Sequence, residues 1–119
     1  MRTLKKRRQF LQAARGKRAG RSAFSLQAVP VAEPEPGIGY TVTKKVGNAP
    51  ERNRVKRRLR AAVNACADKF QPQHEYVLLG RREALDASFG ALVGDLRQLL
   101  TRIHGKPAEL PRAAETAKQ

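Results

Sequence analysis

The chain has 119 residues, room for one small domain with a thin core, and its 25 Lys and Arg against 10 Asp and Glu give a formal net charge of +15 and a pI near 11.3. Such an imbalance points to a polyanionic partner, whether RNA, DNA or an acidic membrane surface. No stretch is apolar and long enough to span a bilayer, and the lone Cys66 excludes an internal disulfide and fits a reducing cytoplasm.

Residues 1–22 carry Arg2, Lys5, Lys6, Arg7, Arg8, Arg15, Lys17, Arg18 and Arg21 without one acid. No apolar run follows, so no secretory signal is predicted. An Arg-rich, acid-free start also resembles an organelle transit peptide. The helical spacing of Phe10, Leu11 and Ala14 instead assigns it to the fold, as a helix near 8–15 broken by Gly16 and Gly20. AFSLQAV, 23–29, alternates Phe24, Leu26 and Ala28 with Ser25, Gln27 and Val29, the pattern of a half-buried strand. PVAEPEPG is a loop by its prolines and glycine. IGYTVT, 38–43, alternates again, so the loop can join two strands as a hairpin, with space for a further short strand hidden in it.

VGNAP turns the chain into a helix, with Asn48 as N-cap and Pro50 in the first turn. Val55, Leu59, Ala62, Val63, Cys66 and Phe70 then recur at three- and four-residue steps, one core-facing stripe of a helix over about 50–70. EYVLLG, 75–80, reads as a buried strand. Asp86 is predicted to cap a last helix carrying Phe89, Leu92, Val93, Leu96, Leu99, Leu100 and Ile103, stopped by Gly105 and Pro107. Residues 106–119 are polar and poor in core residues, and are predicted to be a disordered tail behind a single domain over 1–105. The order is α, β, β, α, β, α.

Around the second helix, Arg52, Asn53, Arg54, Lys56, Arg57, Arg58 and Arg60 crowd together with Glu51 as the only nearby acid. A solvated charged face would intersperse acids at i+4, and this one does not. Arginine forks match phosphate oxygens, and a helix N-terminus favours anions. Asn53 brings a donor and an acceptor, able to read a base edge or to fix an arginine. Ser25, Gln27, Thr41 and Thr43, with Lys44 and Lys45, form the polar side of the two strands beside Phe10. They make either a groove for a single strand or the plain solvent face of an antiparallel sheet. Paired carboxylates or a histidine pair for a protein nuclease are not visible. His74 and His104 have no evident partner and read as structural or surface residues, and Cys66 reads as a buried, inert thiol. The pattern is that of a binder without catalytic groups of its own. A self-sufficient nuclease and a small ribosomal-type structural RNA binder are the competing readings.

TKKVGNAPERNRVKRRLR resembles the signature of the bacterial ribonuclease P protein component: the Arg52-Asn53-Arg54 triplet opens a helix after the Lys44-Lys45-Val46-Gly47-Asn48-Ala49 turn. Leu4-Lys5-Lys6 with Phe10, Phe24 and EYVLLGR extend the likeness over roughly 3–104. The resemblance implies an α/β (α+β) two-layer sandwich, ribosomal-protein-S5-domain-2-like, of order αβββαβα, with a mixed sheet and a left-handed βαβ crossover. It implies a protein subunit that binds a catalytic RNA and the 5′ leader of precursor tRNA. The metal ions, magnesium above all, would be held by the RNA, and no cofactor by the protein alone. The stoichiometry would be 1:1 with the RNA and no protein oligomer would be required. Carried over, Lys44, Lys45, Arg52, Asn53, Arg54, Lys56, Arg57, Arg58 and Arg60 would face the catalytic RNA, and Lys6, Phe10, Ser25, Gln27, Thr41 and Thr43 the leader. Ala14 and Gln27 stand where the family often has aromatics, which implies a weakened or re-tuned leader contact.

Overall fold

A computed structural model describes residues 1–105 of the chain; the predicted tail, 106–119, and Pro107 as a helix stop lie outside the described residues. In chain order the elements are β1 (Arg2–Thr3), α1 (Arg7–Ala13), β2 (Lys17–Gly20), β3 (Phe24–Pro30), β4 (Gly37–Thr41), α2 (Ala49–Ala65), β5 (His74–Gly80) and α3 (Phe89–His104). Short 3₁₀ turns at Lys44–Val46, Ala67–Lys69 and Arg82–Leu85 join them. From α1 onward this is the order αβββαβα, and β1 adds a two-residue strand before it.

The five strands form one mixed sheet in the order β1-β4-β5-β3-β2. β5 takes the centre because it is apolar in both registers. Tyr76 and Leu78 face one side, Val77 and Leu79 the other, and both sides are covered. β4 and β5 run parallel and are joined through α2, which makes the βαβ unit; β3 is antiparallel to β5 and β2 to β3. The hairpin predicted between 23–29 and 38–43, now β3 and β4, is not formed: β5 lies between them, and 31–36 span the gap. The extra strand is β2, before β3, rather than inside the 30–37 loop. Its Ala19 packs on the core while Lys17 and Arg18 charge an outer edge that would otherwise invite pairing.

α2 and α3 pack on one face. Val55, Leu59, Ala62 and Val63 from α2 and Leu92, Leu96, Leu99 and Ile103 from α3 meet Phe24, Leu26, Ile38, Tyr76 and Leu78. Short α1 lies on the opposite face, where Leu4, Ala13 and Val77 form a small second core with Phe10, Val29 and Leu79. The N-terminus is pinned there by a part-buried ion pair. Arg2 donates to Glu75 at 3.1 Å, and Gln9 Nε2 reaches the same carboxylate at 3.5 Å.

Helix ends follow their chemistry. Asn48 Oδ1 accepts from the Glu51 N–H, and Glu51 Oε1 from the Asn48 N–H, both at 2.9 Å, a reciprocal cap for α2. α2 stops at Ala65, earlier than predicted, because the chain tightens into a 3₁₀ turn; Phe70 still reaches the core. The cap of α3 is Ser88, whose Oγ accepts from the Ala91 N–H at 3.1 Å, and not Asp86. Asp86 instead closes the Arg82–Leu85 turn, which buries Ala84. Gly105 ends α3 with φ 74°, a left-handed value that suits glycine.

Candidate nucleic-acid interface

The turn that launches α2 is built before any ligand arrives. Gly47 has no side chain because none fits: a Cβ there would sit 2.3 Å from Glu51 Oε1 and 2.9 Å from an Arg82 nitrogen. Arg82 donates to the Val46 carbonyl at 2.8 Å and pairs with Glu51 Oε2 at 3.0 Å. Glu51 therefore caps α2 and clamps Arg82, and those bonds hold its carboxyl below the usual carboxylate range. Its presence beside so many arginines is a structural requirement of the turn. Arg82 was missed in the sequence; its adjacency to β5 gave no sign that it folds back to 46 and 51.

From this fixed start, about 100° per residue decides what each side chain meets. Asn53, Arg57 and Arg60 stand opposite the Val55–Leu59–Ala62 stripe, and Arg54 flanks them; all four are exposed. Arg60 also lies over the Tyr40 ring, 5.2 Å from its centroid, a cation–π contact. Burial pushes the Tyr40 phenol up to about 12, with Arg60 pulling the other way, so the ring stays neutral at physiological pH. Lys56 is half-buried at the edge of the exposed surface. Arg52, half-buried, donates to the Gly47 carbonyl at 2.8 Å and braces the turn. Arg58 departs from the expected outward role: its Nε donates to the Ala84 carbonyl at 2.8 Å and a terminal nitrogen to that of Ala87, so it ties α2 to the turn before α3. Lys44 and Lys45 are exposed on the 3₁₀ turn ahead of Gly47.

Among the described residues the ion pairs are Met1 N-terminus–Glu35, Arg2–Glu75, Arg21–Asp95 and Arg82–Glu51. None uses a cation of α2. Its outer face is thus an open row of guanidinium groups without carboxylate partners, extended by Lys44 and Lys45. Such a row has low cost only where phosphates neutralise it.

The second predicted cluster is more divided. Phe10 packs its ring over Gly39, where a Cβ would come within 2.7 Å of two ring carbons. Lys6 is exposed at the start of α1, where Gln9 Oε1 accepts from the Lys5 and Lys6 N–H groups. Thr41 is half-buried and Thr43 exposed. Ser25 and Gln27, expected on a solvent face, are 2% and 5% exposed, because that face of β3 lies under α1 and beside β5. Register sets Thr41, Leu79 and Ser25 in one row across the sheet, so the two hydroxyls flank an apolar side chain. Ser25 Oγ is buried without a hydrogen-bond partner. These residues thus share the sheet face on which α1 lies, with Ser25 and Gln27 buried, Thr41 half-buried, and Thr43, Lys44 and Lys45 exposed just beyond the end of β4.

Cys66 is fully buried, with Sγ near the Val93 carbonyl and its thiol pushed up by burial, as an inert core residue would be. No three of the described His, Cys, Asp and Glu residues cluster as metal ligands, and among the described residues no helix is long and apolar enough to cross a membrane.

Residues 1–104 match the family model described as Ribonuclease P. The chain is 44% identical over 110 residues to the Ribonuclease P protein component of Gluconacetobacter diazotrophicus, covering 89% of this chain and 94% of that one. It is 42% identical over 106 residues to the Ribonuclease P protein component of Ruegeria pomeroyi, covering 85% of each. The solved RNase P protein from Thermotoga maritima superposes with TM-score 0.75 at 25% identity, over 88% of this chain and 100% of that chain. That from Staphylococcus aureus gives 0.73 at 21%, over 86% and 94%. With the matched model spanning nearly all the described residues, the chain belongs to the ribonuclease P protein-component family.

Proposed function

We propose that this chain is the RNA-binding subunit of a ribonucleoprotein ribonuclease P, which helps a catalytic RNA remove the 5′ leader of precursor tRNA in the cytoplasm. The observation that carries this reading is the outer face of α2, with Asn53, Arg54, Arg57 and Arg60 exposed and no carboxylate of the chain paired to them. On that face the arginines grip phosphates of the catalytic RNA, and Lys44 and Lys45 continue the grip around the turn. Arg52 and Arg58 act from behind: one braces the turn, the other fixes the helix to the body. Lys56 adds a point charge at the edge of the face.

The sheet face beside α1 takes the leader. Lys6 contacts its phosphates, the Phe10 ring and the Thr41 and Thr43 hydroxyls line its path, and Ser25 and Gln27 lie beneath them. Hydrolysis proceeds on metal ions held by the RNA; this chain lowers the magnesium requirement because its cations screen phosphate repulsion that free ions would otherwise have to offset. One protein serves one RNA. A ribosomal-type structural role accounts for the charge but not for the ordered turn, cap and triplet.

The test is reconstitution with a ribonuclease P RNA and cleavage of precursor tRNA at low magnesium. Wild-type protein restores cleavage, Arg54→Ala loses most of the gain, and protein without RNA is inert. Full low-magnesium activity from both Arg52→Ala and Arg54→Ala would remove the role given to this turn.

A further inference from the structure

At the end of the sheet away from the start of α2, β2, β3 and β5 meet the C-terminus of α3 around a cavity of about 600 Å³. That volume is within the range of small-ligand sites. Its floor is apolar, with Ala28 and Ile103. Arg15 and Lys17, both exposed, stand at its rim. Both histidines of the chain line it, with ring centroids 4.7 Å apart and planes at 89°.

The hydrogen bonds fix what those rings offer. Tyr76 is fully buried, and its oxygen accepts from the Gln71 N–H at 2.9 Å. The phenol proton is satisfied only by donation to His104 Nε2, 2.6 Å away. His104 is then a neutral imidazole with its proton on Nδ1. Burial, with His74 and Lys17 nearby, favours that neutral form. His74 Nδ1 lies 3.0 Å from the Pro72 carbonyl, which can only accept, so a proton sits on Nδ1 and, in the neutral ring, Nε2 is the acceptor. Neither His104 Nδ1 nor His74 Nε2 has a protein partner or is sealed from solvent. The site thus presents one N–H donor and one acceptor over an apolar floor, with two cations at the rim. A second depression continues from it, sharing Gln71 and His104 and bounded by Lys69.

We propose that this cavity is a nucleotide site separate from the α2 face and the sheet face beside α1, taking one unpaired nucleobase against His74 and His104 with its phosphate on Arg15 and Lys17. A base edge carries adjacent donors and acceptors that match the two imidazoles, and a base plane covers the apolar floor. The nucleotide is either free or a splayed-out residue of RNA; the run toward Lys69 places a following phosphate within reach of a third cation.

The two histidines make the test specific, since their imidazole C2–H proton resonances report only on this cavity. The full chain is titrated at slightly alkaline pH with uridine or adenosine 5′-monophosphate, a short single-stranded RNA, and inorganic phosphate. Saturable shifts of both imidazole signals by the nucleotides are expected, and Arg15→Ala, whose side chain makes no described contact, weakens the mononucleotide titration roughly tenfold. Arg54→Ala leaves it unchanged. Tighter binding of the RNA than of the mononucleotide assigns the site to RNA, and equal binding assigns it to a free nucleotide. Unmoved histidine signals, an unaltered titration in Arg15→Ala, or phosphate alone reproducing the shifts at the same affinity would overturn the proposal.

Discussion

Arg54 and Arg58 stand one turn apart on α2 and meet opposite surroundings. Arg54 faces water, whereas the Arg58 guanidinium holds the backbone carbonyls of Ala84 and Ala87. Arg54→Ala is expected to leave the urea midpoint nearly unchanged while weakening RNA binding. Arg58→Ala should cost about 1–3 kcal/mol of stability, the range for removing charge-assisted bonds to buried acceptors. Paired denaturation and filter-binding measurements separate the two; equal effects of both variants on stability would contradict the assignment. The sequence displayed the charges but could not sort them. Helical geometry puts Arg58 beside the apolar stripe, but that it meets two carbonyls from the turn before α3 depends on how a later segment folds back. The same holds for Arg82, which explains Glu51 only after the chain has closed on itself. The partner of His104 is likewise hidden in the sequence, since Tyr76 reaches it only once β5 and α3 have packed together.

Among the elements, α1 docks on the sheet through Phe10 and Ala13, with Gln9 reaching Glu75. Gly39 leaves the space that the Phe10 ring fills, and Gly39→Ala places a Cβ 2.7 Å from that ring. We expect a loss of about 1–3 kcal/mol, typical of overpacking, with faster amide exchange confined to α1; unchanged exchange there would show that α1 docks by other means. The end of α3 should add a pH dependence. His104 is depressed from 6.5 to about 4, chiefly by burial. The unfolded chain then binds more protons than the native one between these values, so stability is full above 6.5 and falls as pH drops toward 4. His104→Asn should flatten that part of a urea-midpoint profile; an identical slope in the variant would exclude His104 as its source. Strongly periodic elements, α3 and the α2 stripe, were legible from spacing alone, as was β5 from its unbroken apolar run, but Phe89, counted in the apolar set of α3, is exposed in its first turn. β2 and the buried state of Ser25 and Gln27 were not. Alternation says which residues share a face, and Ser25 and Gln27 do share one, but not that α1 returns to cover it. Strand order was hidden for the same reason, because the partner of β3 lies some fifty residues further along the chain.

Across the whole molecule, the excess charge of +15 opposes compaction, and the described ion pairs neutralise cations away from α2. Anions that bind the native state should therefore stabilise it, and sulfate or phosphate is expected to raise the melting temperature more than chloride at equal ionic strength. Affinity for RNA should drop by about 10³ or more between low and moderate salt if several phosphates are engaged. The most direct test is the slope of log Kd against log salt for binding to a ribonuclease P RNA, compared among wild type, Arg54→Ala, Arg57→Ala and Arg58→Ala. A steep wild-type slope is predicted, reduced by about 1 in Arg54→Ala and in Arg57→Ala and unchanged in folded Arg58→Ala. Wild-type slopes in both Arg54→Ala and Arg57→Ala would contradict the claim that the outer face of α2 is where the RNA docks.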